Sequence, residues 1–200
     1  IWIYYEGYDL QDLIFERKNF ILKKYLKDKK FSQDLKKNNK KKDEVVERIT
    51  NIELARISEK YKDDKRLKYK ILKFIRLDKT KNSINFENIY SPSIDDSVFK
   101  DFEKILKQSK DLSINNGSKF YFVYLPEYYR YTKKYNEDNY EKILEITNKL
   151  NISTIDLKKE LFDKEESPSK LFPFELGGHL TIEGYKKVTE KIYENLISSK

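Results

Sequence analysis

An unbroken apolar run, Phe-Tyr-Phe-Val-Tyr-Leu, occupies residues 120–125 and ends at Pro126. Aromatic and β-branched residues favour a strand, and here both alternating faces are apolar. A strand that is apolar on both faces is typical of a parallel sheet covered by helices. We therefore predict a central strand over residues 119–125 in an α/β fold.

Strand and helix signals alternate along the rest of the chain. Further strands are predicted at 1–5 and 152–156. The spacing of apolar residues predicts helices over 10–26 and around 45–55, 67–75, 98–106 and 140–147, and a last helix from Thr181, whereas 38–42 and 78–96 are predicted to be loops. This order predicts a parallel sheet flanked by helices, with functional loops at the carboxyl ends of its strands.

The chain is strongly basic, with 42 Lys and Arg against 34 Asp and Glu among its 200 residues. Lysine is densest over 23–42, which could attract phosphates. Only six of the 42 are Arg, the residue whose planar fork nucleic-acid readers favour. We therefore interpret 23–42 as a solvated basic face, and expect no specific nucleic-acid partner.

Two residue types are missing from the sequence. Because it has no Cys, disulfides, thiolate metal sites and cysteine nucleophiles are excluded. Because it has no Met and opens directly on a predicted strand, we expect a fragment that lacks upstream sequence, with a processed mature terminus as the alternative. The compartment and any membrane association stay open, and a periplasmic or membrane-anchored full-length protein would be compatible with the sequence.

The residues best suited to chemistry lie in two glycine-containing segments. The chain's one histidine, His179, follows Gly177-Gly178 and precedes the last predicted helix. Imidazole is the usual general base near neutral pH. Gly7 directly follows the first predicted strand, in the turn Glu6-Gly7-Tyr8-Asp9, where a parallel sheet would present a site. Two ordinary turns and a structural histidine are the alternative interpretation.

Together these segments resemble the SGNH (GDSL-type) hydrolases. The segment His179-Leu180-Thr181-Ile182-Glu183-Gly184-Tyr185 is similar to the family's last block, and Glu6-Gly7-Tyr8-Asp9 to its Gly-Asn-Asp block. The strand that ends at Pro126 resembles the strand between these blocks. The resemblance implies a three-layer α/β fold, a parallel sheet flanked by helices (SGNH/flavodoxin-like), incomplete at its N-terminus. Residues 1–200 would then be one partial domain, with 10–91 a helical Lys-rich insertion.

The resemblance also implies roles for particular residues. The family nucleophile is a serine in a Gly-Asp-Ser block, which does not occur in this sequence and is expected upstream of residue 1. His179 would be the base. Leu176 stands where the family has its acid, so Glu175 and Glu166 are the acid candidates. Glu165 and Asp163 are further options, and a Ser-His dyad oriented by a backbone carbonyl is the alternative.

The oxyanion region would be Gly7, Tyr8 and Asp9, with Tyr8 in place of the family's asparagine. The function implied is an ester hydrolase acting on an O-acylated carbohydrate or a lipid ester. Its partner would be that small-molecule or glycan ester, and no metal or cofactor is expected. The alternative is a non-catalytic relative that binds a glycan or an anionic surface through its Lys-rich region.

Overall fold

The structure, a computed structural model, describes residues 1–28, 30–34, 36–37, 39–64, 91, 93–175 and 179–198. The chain divides into two compact units. Residues Ile1–Lys29 and Glu87–Lys200 form the first unit, and Lys30–Phe86 form the second. The predicted helix at 67–75 and most of the predicted loop at 78–96 lie outside the described residues. That 10–91 is an insertion into an SGNH-type domain stays a prediction.

The first unit contains alternating strands and helices in the predicted order. They are β1 (Trp2–Tyr5), α1 (Asp9–Glu16), α2 (Phe20–Lys27), α4 (Asp96–Asn115), β2 (Tyr121–Leu125), α5 (Asp138–Lys149), β3 (Ser153–Asp156), α6 (Leu157–Glu160) and α7 (Ile182–Ser198), with 3₁₀ turns at Tyr128–Tyr131, Phe162–Lys164, Pro168–Leu171 and Pro173–Glu175. The second unit contains α3 (Asn39–Asp64).

Within the described residues, the three strands form one parallel sheet in the order β1-β2-β3. Trp2 pairs with Phe122, and Tyr121 pairs with Ser153. The prediction of three parallel strands with the apolar run at the centre is confirmed, although the central strand begins at Tyr121 and not at Lys119. The carboxyl ends of all three strands therefore meet at one edge, which we call the carboxyl edge.

Helices cover both faces of the sheet. On one face, Tyr4, Phe122 and Tyr124 pack in a core with buried residues of α1, α4 and α5, among them Leu10, Phe102 and Ile143. On the other face, Val123 and Ile155 pack with Leu157, Phe162, Phe172, Leu180 and Val188, which come from α6, the 3₁₀ turns and α7. The sheet is thus the middle layer of a mixed α/β arrangement.

Among the described residues, β1 pairs on one side only, and its other flank is apolar and exposed. Ile3 is paired with the fully buried Val123, yet 56% of its own surface is exposed, and Ile1 is 63% exposed. Asp9 partly closes this flank, because its Oδ2 accepts a hydrogen bond from the Tyr5 N–H at 2.9 Å. Unpaired strand edges of this kind are templates for further pairing.

Two boundary predictions are wrong. The predicted helix over 10–26 is two helices, because Asn19 caps α2 by accepting hydrogen bonds from the N–H groups of Ile21 and Leu22 at 2.9 and 3.4 Å. The predicted loop at 38–42 is the start of α3, which begins at Asn39. Lysines are good helix formers, and the stretch contains no Gly or Pro to stop a helix.

Local interactions define the two ends of α4. Asp95 caps α4 by accepting a hydrogen bond from the Ser97 N–H at 2.8 Å. α4 ends at Asn115 and is followed by Gly117 at a φ of 71°. Those residues of 23–42 whose side chains the structure describes are exposed or half-buried, as predicted for a basic face. No helix of the described chain is long and apolar enough to cross a membrane.

Candidate functional site

Residues from all three strand ends meet at the carboxyl edge. Glu6 follows β1 and continues the ladder, with its N–H donating to the Leu125 carbonyl at 3.0 Å. Its carboxylate accepts hydrogen bonds from the Tyr124 hydroxyl and, at 3.1 Å, from the Glu127 N–H. One buried acid thus ties the end of β1 to the residues that end and follow β2.

Arg130 supplies the counter-charge to Glu6. Its Nε donates to the Glu6 carboxylate at 2.8 Å, and Nη2 donates a second hydrogen bond. The side chains of Arg130 and Glu6 are only 3% and 4% exposed. Burial on its own lowers the pKa of the guanidinium, but the hydrogen bonds to Glu6 and Glu137 outweigh it and raise the pKa. The Arg130 guanidinium therefore keeps its charge at any ordinary pH.

Aromatic rings surround this ion pair and join it to β3. The Arg130 guanidinium lies 4.4 Å from the centre of the Tyr135 ring and 5.3 Å from that of Tyr140. Tyr140 in turn donates a hydrogen bond to Asp156, the last residue of β3, at 2.6 Å. The carboxyl edge is thereby fixed from strand to strand by a polar cluster.

The Glu127 carboxylate lies against the Gly7 turn. Burial raises the pKa of Glu127, although the Tyr135 hydroxyl donates to its carboxylate at 2.6 Å and lowers the pKa in part. A Cβ on Gly7 would lie 3.2 Å from Glu127 Oε2 and 2.8 Å from the Tyr5 ring. Gly7 therefore allows the turn to pass close to this acid.

The other two residues of the predicted oxyanion region, Tyr8 and Asp9, make different contacts with Tyr5. The Asp9 carboxylate accepts a hydrogen bond from the Tyr5 N–H, and burial raises the pKa of this carboxyl group. Tyr8 precedes α1, and its half-exposed ring packs against that of Tyr5 with 5.6 Å between ring centres. Gly7, Tyr8 and Asp9 are thus together at the carboxyl edge, with Tyr8 facing solvent.

His179 is exposed and lies three residues before α7. The residues after it are firmly held. Leu180 is buried in the second core, the Thr181 N–H donates to the Leu171 carbonyl at 2.8 Å, and Thr181 Oγ1 accepts from the Gly184 N–H at 3.0 Å. A Cβ on Gly184 would lie 2.7 Å from the Leu171 carbonyl oxygen. Thr181 therefore caps α7, and Gly184 allows the first turn of α7 to pack closely against Leu171.

The acid candidates are not joined to His179 by the contacts that the structure describes. Glu166 is exposed, and Glu175 ends the 3₁₀ turn Pro173–Glu175. Of the further options, Glu165 binds Lys187 at 2.8 Å and Asp163 binds Lys158 at 2.9 Å. The described contacts likewise do not join His179 to the Gly7 turn, and its pairing with an acid stays a prediction.

The polar cluster itself was not predicted. Its sequence signal is an acid directly after one strand and an arginine shortly after the neighbouring strand, in a chain with only six arginines. Among the described residues, no group of three or more histidines, aspartates and glutamates could hold a metal ion.

Comparison with protein-family models, with curated proteins and with solved structures finds no match for this chain.

Proposed function

We propose that this chain is part of an ester hydrolase of the SGNH type, acting on an O-acylated carbohydrate or a lipid ester. The observation that carries the proposal is the packing and hydrogen bonding of residues 180–184. Leu180, Thr181 and Gly184 fix the start of α7 against the second core, while His179, directly before them, stays exposed. This placement suits a base that must meet a substrate.

The carboxyl edge gives further support. Gly7 is buried in the turn after β1, and no hydrogen bond is described for its N–H. A backbone N–H at this edge of the sheet is the kind of donor that stabilises a developing oxyanion. The Arg130 guanidinium and the Glu127 N–H both bind the Glu6 carboxylate and so fix the start of this turn.

The proposed reaction proceeds in two steps. A serine hydroxyl attacks the ester carbonyl while His179 accepts its proton and then passes it to the leaving alcohol, which leaves an acyl-enzyme. Water, deprotonated by His179, then releases the acid and regenerates the serine. Because no Gly-Asp-Ser occurs in the 200 residues, this mechanism requires the serine to come from chain outside them.

The test compares this chain with a longer product of the same gene that includes the upstream sequence. The 200 residues alone should not hydrolyse nitrophenyl acetate or react with a fluorophosphonate probe, whereas the longer protein should do both. In the longer protein, His179→Ala should abolish turnover, and the exposed Lys186→Ala on α7 should not change it. His179-dependent turnover by the 200 residues would contradict the proposed nucleophile.

Two further variants of the longer protein identify the acid. If Glu175 or Glu166 orients His179, then Glu175→Gln or Glu166→Gln should lower kcat, and only one of them should do so strongly. If neither does, a Ser-His dyad is favoured. Tyr8→Asn should leave kcat unchanged or raise it, because asparagine would restore an oxyanion donor.

The second candidate is a non-catalytic relative that binds a glycan or an anionic surface. The observation that favours it is the half-exposed Tyr8 ring, which packs against Tyr5 where the resemblance would require an asparagine. For this candidate, the longer protein would neither turn over esters nor react with the probe. It would bind immobilised glycan or anionic vesicles instead.

A further inference from the structure

The helix α2 covers an incompletely filled space on α4. None of its eight residues is buried, although it carries the apolar residues Ile21, Leu22, Tyr25 and Leu26. Beneath it is a cavity of about 440 Å³ whose apolar lining is Leu13, Leu22, Tyr25, Leu26 and Ile105. A second cavity of about 380 Å³ shares Tyr25, Leu26 and Ile105 with the first.

Cations surround the first cavity. Lys23 and Lys27 of α2 and Lys104 of α4 belong to its lining, and no ion pair is described for any of them. Arg17 is already paired with Asp101 at 2.9 Å, so Glu16 is the one other carboxylate of the lining. Three helices, α1, α2 and α4, thus form a cavity that is apolar inside and has an excess of positive charge at its boundary.

We propose that this cavity binds a single-chain anionic amphiphile, an alkyl chain that ends in a carboxylate, sulfate or phosphate. The volume lies within the range of small-molecule sites, which are apolar with a few polar groups that fix orientation. The alkyl chain lies against Leu22, Leu26 and Ile105. The head group pairs with Lys23, Lys27 or Lys104, whose flexible stems keep their charges at the water boundary.

Other small ligands match the lining less well. A compact polar anion would gain nothing from the apolar interior, and the exposed lysines alone would hold it weakly. A cationic amphiphile of the same chain length would meet like charges. The combination of chain and negative head group is therefore the specific expectation.

The attachment of α2 allows it to adjust to such a ligand. Asn19 caps its start, and at its end Gln108 Nε2 donates a hydrogen bond to the Leu26 carbonyl at 3.1 Å. Between these two points the helix is not held by buried side chains. A bound chain would bury its apolar face and stabilise the folded state by mass action.

The binding test uses the 200-residue chain and calorimetric titration with octanoate, decanoate and dodecanoate below their micelle concentrations. We expect one site, with a Kd that falls up to about fourfold for each added methylene. Decyl sulfate should bind like decanoate, whereas acetate and decyltrimethylammonium should not bind. Equal affinity across the chain-length series would overturn the proposal.

Variants and mapping locate the site. Lys104→Glu should raise the Kd for dodecanoate by up to about fivefold. Leu22→Gln, which keeps a good helix former, should raise it as well. The control is Lys186→Glu on α7, which makes the same charge change outside the cavity lining and should leave the Kd unchanged. Amide shifts on binding should be concentrated in Leu13–Arg17, Leu22–Lys27 and Asp101–Ile105.

Three outcomes would overturn the proposal. One is a rise in the Kd for dodecanoate that is as large in Lys186→Glu as in Lys104→Glu. Such a result would mean that the ligand is attracted by the net charge of the protein and not by this cavity. Another is a set of amide shifts outside α1, α2 and α4. The third is binding to phosphatidylglycerol vesicles with none to monomeric dodecanoate, which would indicate a membrane surface as the partner.

Discussion

The Arg130 guanidinium donates two hydrogen bonds to the Glu6 carboxylate, and both side chains are almost completely buried. Glu6 directly precedes Gly7, and Arg130 lies in the 3₁₀ turn that follows β2. The pair therefore joins the loop after β1, which carries Gly7, to the loop after β2. The position of the Gly7 turn depends on this charge pair as well as on the glycine.

We expect Arg130→Met to lower the free energy of unfolding by about 3–5 kcal/mol, because it leaves the Glu6 carboxylate buried without its counter-charge. Urea denaturation followed by the fluorescence of Trp2, the chain's one tryptophan, measures the change. Methionine keeps much of the apolar volume, so a large loss would report the charge rather than a cavity.

The matched control is Arg17→Met. Arg17 also pairs with an acid, Asp101, but both of these side chains are about 30% exposed. Exposed pairs contribute at most about 1 kcal/mol. Equal losses for the two arginines would contradict the role assigned to burial.

The sequence predicts the sheet well because β2 carries an unambiguous local signal. Phe122 and Val123 point to opposite faces and are both fully buried, which is what an apolar run on both faces indicates. The helix over 10–26 was less well predicted, because apolar spacing continues across Asn19. A capping side chain there outweighs the periodicity.

Only those parts of the candidate site that show a local sequence pattern can be predicted from the sequence. The Gly7 turn follows a strand, and His179 precedes a helix, so both stand out along the chain. The Glu6–Arg130 pair joins residues 124 positions apart. It depends on the register that pairs Tyr5 with Leu125, and no local pattern contains that register.

Glu127 should make stability depend on pH. Its pKa is raised by burial, so the folded state holds the proton more tightly than the unfolded chain. Stability should then fall as the pH rises from the ordinary glutamate pKa, about 4.3, through the raised value. Glu127→Gln should flatten this part of the profile, as measured by urea midpoints from pH 4 to pH 7.

The control for this profile is Glu166→Gln, because Glu166 is exposed. Its profile should run parallel to that of the unsubstituted chain. If the stability of Glu127→Gln depended on pH in the same way as that of the unsubstituted chain, the burial of Glu127 would not be the cause of the pH dependence.

Asn19 should decide whether α2 forms. Asn19→Ala removes the side-chain acceptor for the Ile21 and Leu22 N–H groups, a change that costs about 1 kcal/mol at a helix start. Because none of the helix's residues is buried, the loss should appear as local opening. Amide exchange at Lys23 and Lys24 should accelerate about fivefold in Asn19→Ala and stay slow in Asn19→Asp, which keeps the cap. Unchanged exchange in the alanine variant would show that the cap does not hold α2.

Gly184 should be essential for the seating of α7. A Cβ there would lie 2.7 Å from the Leu171 carbonyl oxygen, a backbone atom that accepts the Thr181 N–H. Gly184→Ala must therefore push α7 away from Leu171, and we expect a loss of about 1–3 kcal/mol in the free energy of unfolding, as for overpacked sites. His179 is the chain's one histidine, so its ring signals in a proton–carbon spectrum are unambiguous and should shift as well.

The comparison variant is Gly117→Asn. Gly117 has a φ of 71° and open space around it, and asparagine adopts this conformation readily, so the cost should be below about 1 kcal/mol. The His179 signals should not move, because the substitution lies at the far end of α4. If Gly184→Ala proved as stable as Gly117→Asn and left the His179 signals in place, the close approach to Leu171 would not be what holds the histidine segment.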